Sequence, residues 1–180
     1  SGRAPNIESL CLENAGVKRN AMNGVTIDSA MRIKGQSIFF AGDVTGLPAY
    51  THTAHHEGTI AGKNAALLAQ GKKKFASVDL AVVPRVTFVA PELASIGAMP
   101  DELVAKKKAF TVWKFPVGAL GRAVIESERI GLLKVFVEKK SNRILGASML
   151  GDRSGEVIHE LALAMYAGIT IDTVQSMIHA

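Results

Sequence analysis

The first half of the chain contains few regular apolar patterns, and they follow one another in a definite order. A mainly apolar run at 37–41 predicts a buried strand that ends at Gly42 and Asp43. A loop leads from there into a predicted helix over 51–70, and Gly71 marks its C-terminal end. The pattern therefore predicts a strand, an acidic turn, a loop and a helix in succession.

The second half alternates short apolar runs with polar turns, a pattern that is typical of β-strands. Strands are predicted at 82–89, 110–115, 132–137 and 144–150. The turn at 140–143 between the last two strands indicates a hairpin, which favours antiparallel pairing. We therefore expect an α+β fold with an antiparallel sheet in this half.

Three helical patterns accompany these strands. The first covers 101–107, and the second begins near Ser154, a favourable N-cap, and ends at Gly168. The third begins at Ile171 and continues to 179 without a capping residue at its end. Because this last pattern is not closed, we expect the sequence to be a piece of a longer chain.

The composition is that of a globular protein. Of the 180 residues, 48% are hydrophobic and 21% are charged, and the mean hydropathy is positive. This composition excludes an intrinsically disordered chain, which would have low hydrophobicity and a high net charge. At 72–78 the pattern changes from turns and one long helix to short alternating strands, which predicts two regions, 1–75 and 76–180. No run reaches the ~20 apolar residues that span a bilayer, and no leader opens the sequence, so we expect a cytoplasmic protein without membrane contact.

Charge and cysteine content exclude further classes. The net charge of +5 is concentrated in short lysine runs, and no aromatic residues alternate with the lysines, so we expect no nucleic-acid partner. Cys11 is the single cysteine, which excludes a disulfide framework and a redox pair within this sequence. His52 and His56 are four positions apart on the predicted helix, but Glu57 cannot share their face, so we expect no metal site.

The turn at Gly42 and Asp43 is the strongest candidate for chemistry. A carboxylate at the carboxyl end of a strand points into the crevice where open sheets hold ligands, and it can accept hydrogen bonds from hydroxyl groups. The start of the following helix, near Thr51, supplies N–H groups and partial positive charge. The same pair of residues is also common as a simple turn, so both interpretations remain open.

Several motifs together resemble one family. The run at 37–46, followed by the stretch 50–52 and by Glu57 and Gly58 on the predicted helix, is similar to the second flavin-binding motif of the pyridine nucleotide-disulphide oxidoreductases. The stretches 2–6 and 12–17 resemble the return from their nicotinamide domain to their flavin domain. Further similarity to their C-terminal interface domain lies at 83–88, 91–97, 121–123, 131–134, 144–147 and 154–160. The resemblance covers nearly the whole chain, and the dihydrolipoamide dehydrogenase branch is the most similar.

The resemblance implies roles for five residues. Asp43, preceded by Gly42 in the motif, matches the aspartate that binds the ribityl chain of FAD. Thr51 matches the position whose backbone lies against the flavin pyrimidine, and His52 matches a histidine near the flavin. Gly2 matches a glycine at the nicotinamide nucleotide site. Residues 1–75 would then be an incomplete α/β portion of the FAD-binding domain, and 76–180 the interface or dimerisation domain.

The resemblance also implies an activity and partners. The whole protein would be a homodimeric FAD-dependent and NAD-dependent disulfide oxidoreductase, with dihydrolipoamide as the expected substrate and a lipoyl-bearing acyltransferase complex as a partner. A soluble transhydrogenase and a mercuric-reductase-like enzyme are alternatives within the family. A dimerisation module without chemistry of its own is an alternative from another class.

Some parts that the resemblance would require are absent from the sequence. It has no Gly-x-Gly-x-x-Gly cradle and no Cys-x4-Cys pair, so the N-terminal FAD and NAD domains would lie elsewhere in the protein. The family's catalytic base belongs to a His-Pro-Thr motif that would begin just after Ala180, and His179 is not that base. We therefore assign no catalytic residue and expect these 180 residues alone to be inactive and to retain no FAD.

Overall fold

The computed structural model describes residues 4–21 and 24–179. The chain divides into two compact units, Ser1–Leu80 and Ala81–Ala180, which are described separately. Within the described ranges, no helix combines the length and the apolar character that crossing a membrane requires.

The first unit contains one long helix, α1 (Thr51–Ala69), together with turns and short 3-10 helices. The helix confirms the prediction for 51–70, and Gly71 follows its end with a positive φ of 72°. The predicted strand at 37–41 is wrong. Only Phe39 forms a bridge, with Arg32, because this segment has a single short neighbour to pair with. Its side chains are mostly half-buried.

The buried face of α1 is unusually polar, since Thr53, Glu57 and Asn64 are all enclosed on it. The Asn64 amide nitrogen donates to the carbonyls of Ala30 at 3.0 Å and Ala76 at 2.8 Å. The Asn64 side-chain oxygen accepts from the Ala76 N–H at 2.8 Å. Directional hydrogen bonds to the backbone thus attach this helix to the segments around it.

The apolar core of the first unit lies among its turns. Its buried members are Ile7, Leu12, Val17, Val25 and Ile33. Half-buried side chains from 38–44 pack against this cluster. The extended segment before Gly42 is therefore held by apolar packing on one side.

The second unit is built on a five-stranded antiparallel sheet. Its strands are β1 (Arg85–Thr87), β2 (Leu93–Gly97), β3 (Phe110–Pro116), β4 (Leu132–Glu138) and β5 (Ile144–Leu150). They lie in the order β1-β2-β5-β4-β3. This sheet confirms the α+β prediction, the antiparallel hairpin between β4 and β5, and the bounds expected for 144–150.

The strand β2, which lies between β1 and β5 in the sheet, was not predicted. Its residues pair with β5, and the last pair brings Gly97 opposite Gly146. A Cβ atom on Gly146 would lie 2.2 Å from the carbonyl oxygen of Ala98, so only glycine permits this close backbone approach. A short strand rich in small residues carries little β-propensity, which is why the pattern did not reveal it.

Four helices accompany the sheet: α2 (Pro100–Ala105), α3 (Gly121–Ile125), α4 (Ser154–Tyr166) and α5 (Ile171–Ser176). Of these, α3 was not predicted, and α5 is shorter than the expected 171–179. The predicted N-cap is wrong, because the N-cap position is occupied by Arg153, whose side chain makes no capping hydrogen bond, and Ser154 is the first residue of the helix and is fully buried. The carboxylate of Glu92 instead accepts the Gly155 N–H at 3.0 Å.

The core of the second unit lies between the sheet and the helices α4 and α5. The buried members are Ala94, Ile96, Val135, Val137, Ile144, Ala147, Ile158, Leu161, Ala164, Ile171 and Val174. Alanines on β2 and β5 let α4 pack closely on these central strands. Burial of this apolar surface is the main force that holds the unit together.

The substitution Ile158→Ala tests this core. Ile158 is fully buried, so the shortened side chain leaves a cavity and lowers the free energy of unfolding by about 2–5 kcal/mol. Leu163→Ala on the same helix is the matched control, because Leu163 is 66% exposed and its loss changes stability by about 0.5 kcal/mol or less. Urea denaturation measures both values, and equal losses would contradict the assigned core.

Candidate functional site

The site is centred on Gly42, whose backbone has an unusual conformation. Its φ of 80° and ψ of −159° lie in a region that side-chain-bearing residues rarely adopt. A Cβ atom there would also lie 3.3 Å from the Cβ of Ala54 on α1. The turn therefore requires glycine, and it lies against the first turns of α1.

Hydrogen bonds hold both the backbone N–H and the backbone carbonyl of Gly42. Its N–H donates to Oε2 of Glu57 at 2.7 Å. Its carbonyl accepts from the N–H of Thr45 at 3.0 Å and from the Thr45 hydroxyl at 2.8 Å. Because Glu57 and Thr45 are both buried, these bonds are sheltered from water. The backbone that leads into Asp43 is thereby fixed.

Asp43 begins a short 3-10 helix, Asp43–Thr45, and its side chain is exposed. The Gly46 N–H closes this turn on the Asp43 carbonyl at 3.1 Å. Among the residues described, no hydrogen bond reaches the carboxylate of Asp43. The carboxylate is therefore fixed through its backbone and open to a ligand that donates hydrogen bonds.

Helix α1 begins beside this turn. Tyr50 is the extended N-cap residue, and its N–H donates to the hydroxyl oxygen of Thr53 at 3.2 Å. Thr51 is the first helical residue, where N–H groups have no partner within the helix and the helix dipole is positive. The ring of His52 stacks on Tyr50, with 5.3 Å between the ring centroids.

Four of the five candidate residues lie on two neighbouring elements, the turn at Gly42 and Asp43 and the first turn of α1. Gly42 contacts α1 through Ala54 and Glu57, and Thr51 and His52 belong to the first turn of the same helix. Gly2 lies outside the described residues. The site offers one open carboxylate as a hydrogen-bond acceptor and the N–H groups at the N-terminus of a 19-residue helix as donors. A hydroxyl-rich chain attached to a ring system that gains negative charge on reduction, as in FAD, fits this chemistry.

Glu57 belongs to the motif that the resemblance covers, but no role was predicted for it, and its side chain was considered only as a metal ligand. Burial raises the pKa of Glu57, and the nearby Asp43 charge raises it further. The Gly42 N–H and the charge of His56 act in the opposite direction. The available signal was its position four residues after Thr53 and seven before Asn64, which places it on the polar buried face of α1.

The described residues contain no cluster of three or more histidine, cysteine, aspartate or glutamate side chains that could hold a metal ion. His52 and His56 are exposed, whereas Glu57 is buried on the other face of α1. The absence of a metal site in the whole protein stays a prediction.

The second unit carries an apolar groove of about 670 Å³. Its lining comes from β3, β4, β5, α4 and α5 and includes Trp113, Phe115 and Leu161. At its edge, Nε2 of His179 lies 3.0 Å from a carboxylate oxygen of Glu160. Large apolar side chains are also exposed elsewhere on this unit, which is typical of a protein that associates with a partner.

Two family models match the chain. The dimerisation domain of the pyridine nucleotide-disulphide oxidoreductases matches residues 83–180. A second model, named pyridine nucleotide-disulphide oxidoreductase, matches residues 1–58. The family is FAD-dependent and uses NAD(P)H, and dimerisation is a property of the domain that matches 83–180.

Curated relatives agree with these matches. A mercuric reductase of Staphylococcus aureus is 35% identical over 174 residues, which are 96% of this chain and 30% of the relative. A dihydrolipoyl dehydrogenase of Chlamydia trachomatis is 34% identical over 179 residues, which are 99% of this chain and 37% of the relative. The chain thus spans about a third of the length of these relatives.

Solved structures share the fold of the chain. The Cu(II) complex of the HOCl-induced flavoprotein disulfide reductase RclA from Escherichia coli has a TM-score of 0.86 at 29% identity. That similarity covers all of this chain and 41% of RclA. LpdA from Mycobacterium tuberculosis has a TM-score of 0.85 at 26% identity, over 99% of this chain and 38% of LpdA. Sequence and fold lead to one conclusion: the chain belongs to the pyridine nucleotide-disulphide oxidoreductase family.

Proposed function

We propose that the chain is the C-terminal part of an FAD-dependent NAD(P)H:disulfide oxidoreductase of the dihydrolipoamide dehydrogenase type. The observation that carries this proposal is the open carboxylate of Asp43 on a turn that is fixed at Gly42 and lies against the start of α1. FAD, when bound, supplies electron transfer between a nicotinamide and a disulfide. The residues of this chain bind and orient it.

Each proposed binding residue has a physical role. Asp43 accepts hydrogen bonds from ribityl hydroxyl groups, and the fixed conformation of Gly42 sets the direction of its carboxylate. The N–H groups at Thr51 and the positive end of α1 stabilise negative charge on the flavin ring. His52 belongs to the same first turn and is assigned a place near the ring. Gly2 is assigned to the nicotinamide nucleotide site on resemblance alone.

The domain assignment is part of this proposal. We assign residues 1–75 to the end of the FAD-binding domain and 76–180 to the dimerisation domain. The division of the chain into two compact units after Leu80 supports a boundary in this region of the sequence. An association with a lipoyl-bearing acyltransferase complex rests on the resemblance alone.

A mercuric reductase is the second candidate, and it is favoured by similarity as strong as that to the dihydrolipoyl dehydrogenases. Both kinds of enzyme would share the turn at Asp43, so this site does not separate them. Assays of the intact protein with dihydrolipoamide and with Hg(II) decide between them. Turnover of dihydrolipoamide supports the first candidate, and NADPH-dependent reduction of Hg(II) supports the second.

The substitution Asp43→Ala tests the flavin site. Removal of a charge-assisted hydrogen-bond acceptor costs about 1.5–3 kcal/mol, so the dissociation constant for FAD in the intact protein rises roughly 10-fold to 150-fold. Titration of the apoprotein with FAD, followed by flavin fluorescence, measures this change. Asp101→Asn, an exposed carboxylate of the other unit, is the control and leaves the affinity unchanged. Equal affinities for the two variants would refute the site.

The 180 residues alone are expected to be inactive. The purified chain is assayed for NADH-dependent diaphorase activity, and its absorption spectrum is recorded for bound flavin. We expect neither turnover nor flavin absorbance, because the sequence holds no dinucleotide phosphate cradle and no cysteine pair. Stoichiometric FAD or measurable turnover would contradict this expectation.

We also propose that the protein forms a homodimer. The exposed apolar side chains of the second unit and its match to a dimerisation domain support this. In analytical ultracentrifugation, we expect the purified 180-residue chain to sediment at the mass of a dimer at micromolar concentration. Because apolar contacts are not screened by ions, the sedimentation coefficient should be the same at low and high salt. A monomer would show that the surface present here does not suffice for pairing.

A further inference from the structure

We propose that Glu57 is a positioning residue whose buried side chain holds the Gly42 peptide and thereby fixes the Asp43 carboxylate for the ribityl chain of FAD. This inference rests on the proposed flavin site. It concerns a residue that does not itself contact the ligand and acts through the neighbouring turn.

The environment of Glu57 argues for a specific task. Its side chain is 1% exposed, and a buried carboxyl group is costly unless a hydrogen bond compensates for its lost hydration. The bond from the Gly42 N–H at 2.7 Å supplies that compensation. An apolar residue of similar size would fill this helix position without the cost. The hydrogen bond to the Gly42 peptide is thus the reason that this buried helix position carries a carboxyl group.

The Gly42 peptide that Glu57 binds directly precedes Asp43, so its orientation sets the position of the Asp43 carboxylate. Glycine has the largest conformational freedom of all residues, so an unrestrained Gly42 would let the following residue point in many directions. Thr45 holds only the carbonyl side of Gly42, and Glu57 holds the N–H side. Loss of the Glu57 acceptor therefore frees the rotation that sets the position of Asp43.

The other polar residues on the same face of α1 have different partners. The Thr53 hydroxyl interacts with the backbone of Pro48 and Tyr50, and Asn64 binds the backbone of Ala30 and Ala76. Glu57 alone among these three contacts the turn that carries Asp43. Asn64 consequently offers a matched control, because it is as deeply buried and makes three hydrogen bonds away from the turn.

The test compares Glu57→Leu, Glu57→Gln and Asn64→Ala in the intact flavoprotein. Glu57→Leu removes the acceptor, and we expect the dissociation constant for FAD to rise about 10-fold or more. Glu57→Gln keeps a carbonyl acceptor and should restore the affinity to within about 3-fold of the original. Asn64→Ala should lower the melting temperature of the apoprotein without changing the affinity for FAD.

A double variant distinguishes positioning from general stability. If Glu57 acts only through Asp43, then Glu57→Leu should cause no further loss of FAD affinity once Asp43→Ala is present. Fully additive losses, or an FAD affinity of Glu57→Leu equal to that of the unmodified protein, would overturn the inference. Should Glu57→Leu fail to fold, Glu57→Asp replaces it, since the shorter side chain cannot keep the 2.7 Å bond, and unchanged affinity would again overturn the inference.

The two proposals fail in different ways. If Asp43→Ala binds FAD normally, the flavin site itself is wrong. If Asp43→Ala weakens binding and Glu57→Leu does not, only the role of Glu57 is wrong.

The pH dependence of stability supplies a second measurement. The raised pKa of Glu57 means that its stabilising effect is complete below the ordinary value of 4.5 and is lost as the pH rises through the raised value. Asp43 on the turn and His56 on α1 are the charged groups that act on it. Glu57→Gln cannot ionise, so its melting temperature relative to the unmodified protein should increase over this pH range. A constant difference would contradict a buried carboxyl group at Glu57, and with it the inference.

Discussion

The hydrogen bond from the Gly42 N–H to the buried carboxyl group of Glu57 is the contact on which the candidate site depends. It joins a backbone conformation that only glycine tolerates to a helix that supplies the positive charge of its N-terminus. Neither element alone would make a binding site, because a free turn does not direct its carboxylate and a bare helix start binds many anions weakly. Their attachment gives the carboxylate of Asp43 one position beside the helix.

The two units are stabilised in different ways. In the second unit, α4 packs closely on β2 and β5 through alanine, isoleucine and leucine side chains, so apolar burial decides its structure. In the first unit, the buried side of α1 carries threonine, glutamate and asparagine, which bind the backbone of neighbouring segments. Directional bonds define positions sharply, which suits a ligand site, whereas apolar packing suits a surface for association.

Local sequence patterns predicted the elements that have strong signals of their own. Helix α1 has a clear end at Gly71, and β5 follows a polar hairpin, so both were predicted closely. The strand β2 depends on pairing with β5, and the expected strand before Gly42 finds only one short partner, so tertiary contacts decided both cases. Asp43 could be identified from its motif, but the task of Glu57 could not, because only the fold brings residues fifteen positions apart together.

The polar attachment of α1 also has a thermal consequence. Exposure of apolar surface increases the heat capacity of unfolding, and exposure of polar surface decreases it. Detachment of α1 from its surroundings exposes Thr53, Glu57 and Asn64 together with apolar surface, so its enthalpy varies less with temperature than that of a purely apolar contact. The second unit, with its aliphatic interior, has a strongly curved stability profile. Cooling therefore weakens the second unit more than it weakens the attachment of α1 to the turn at Gly42.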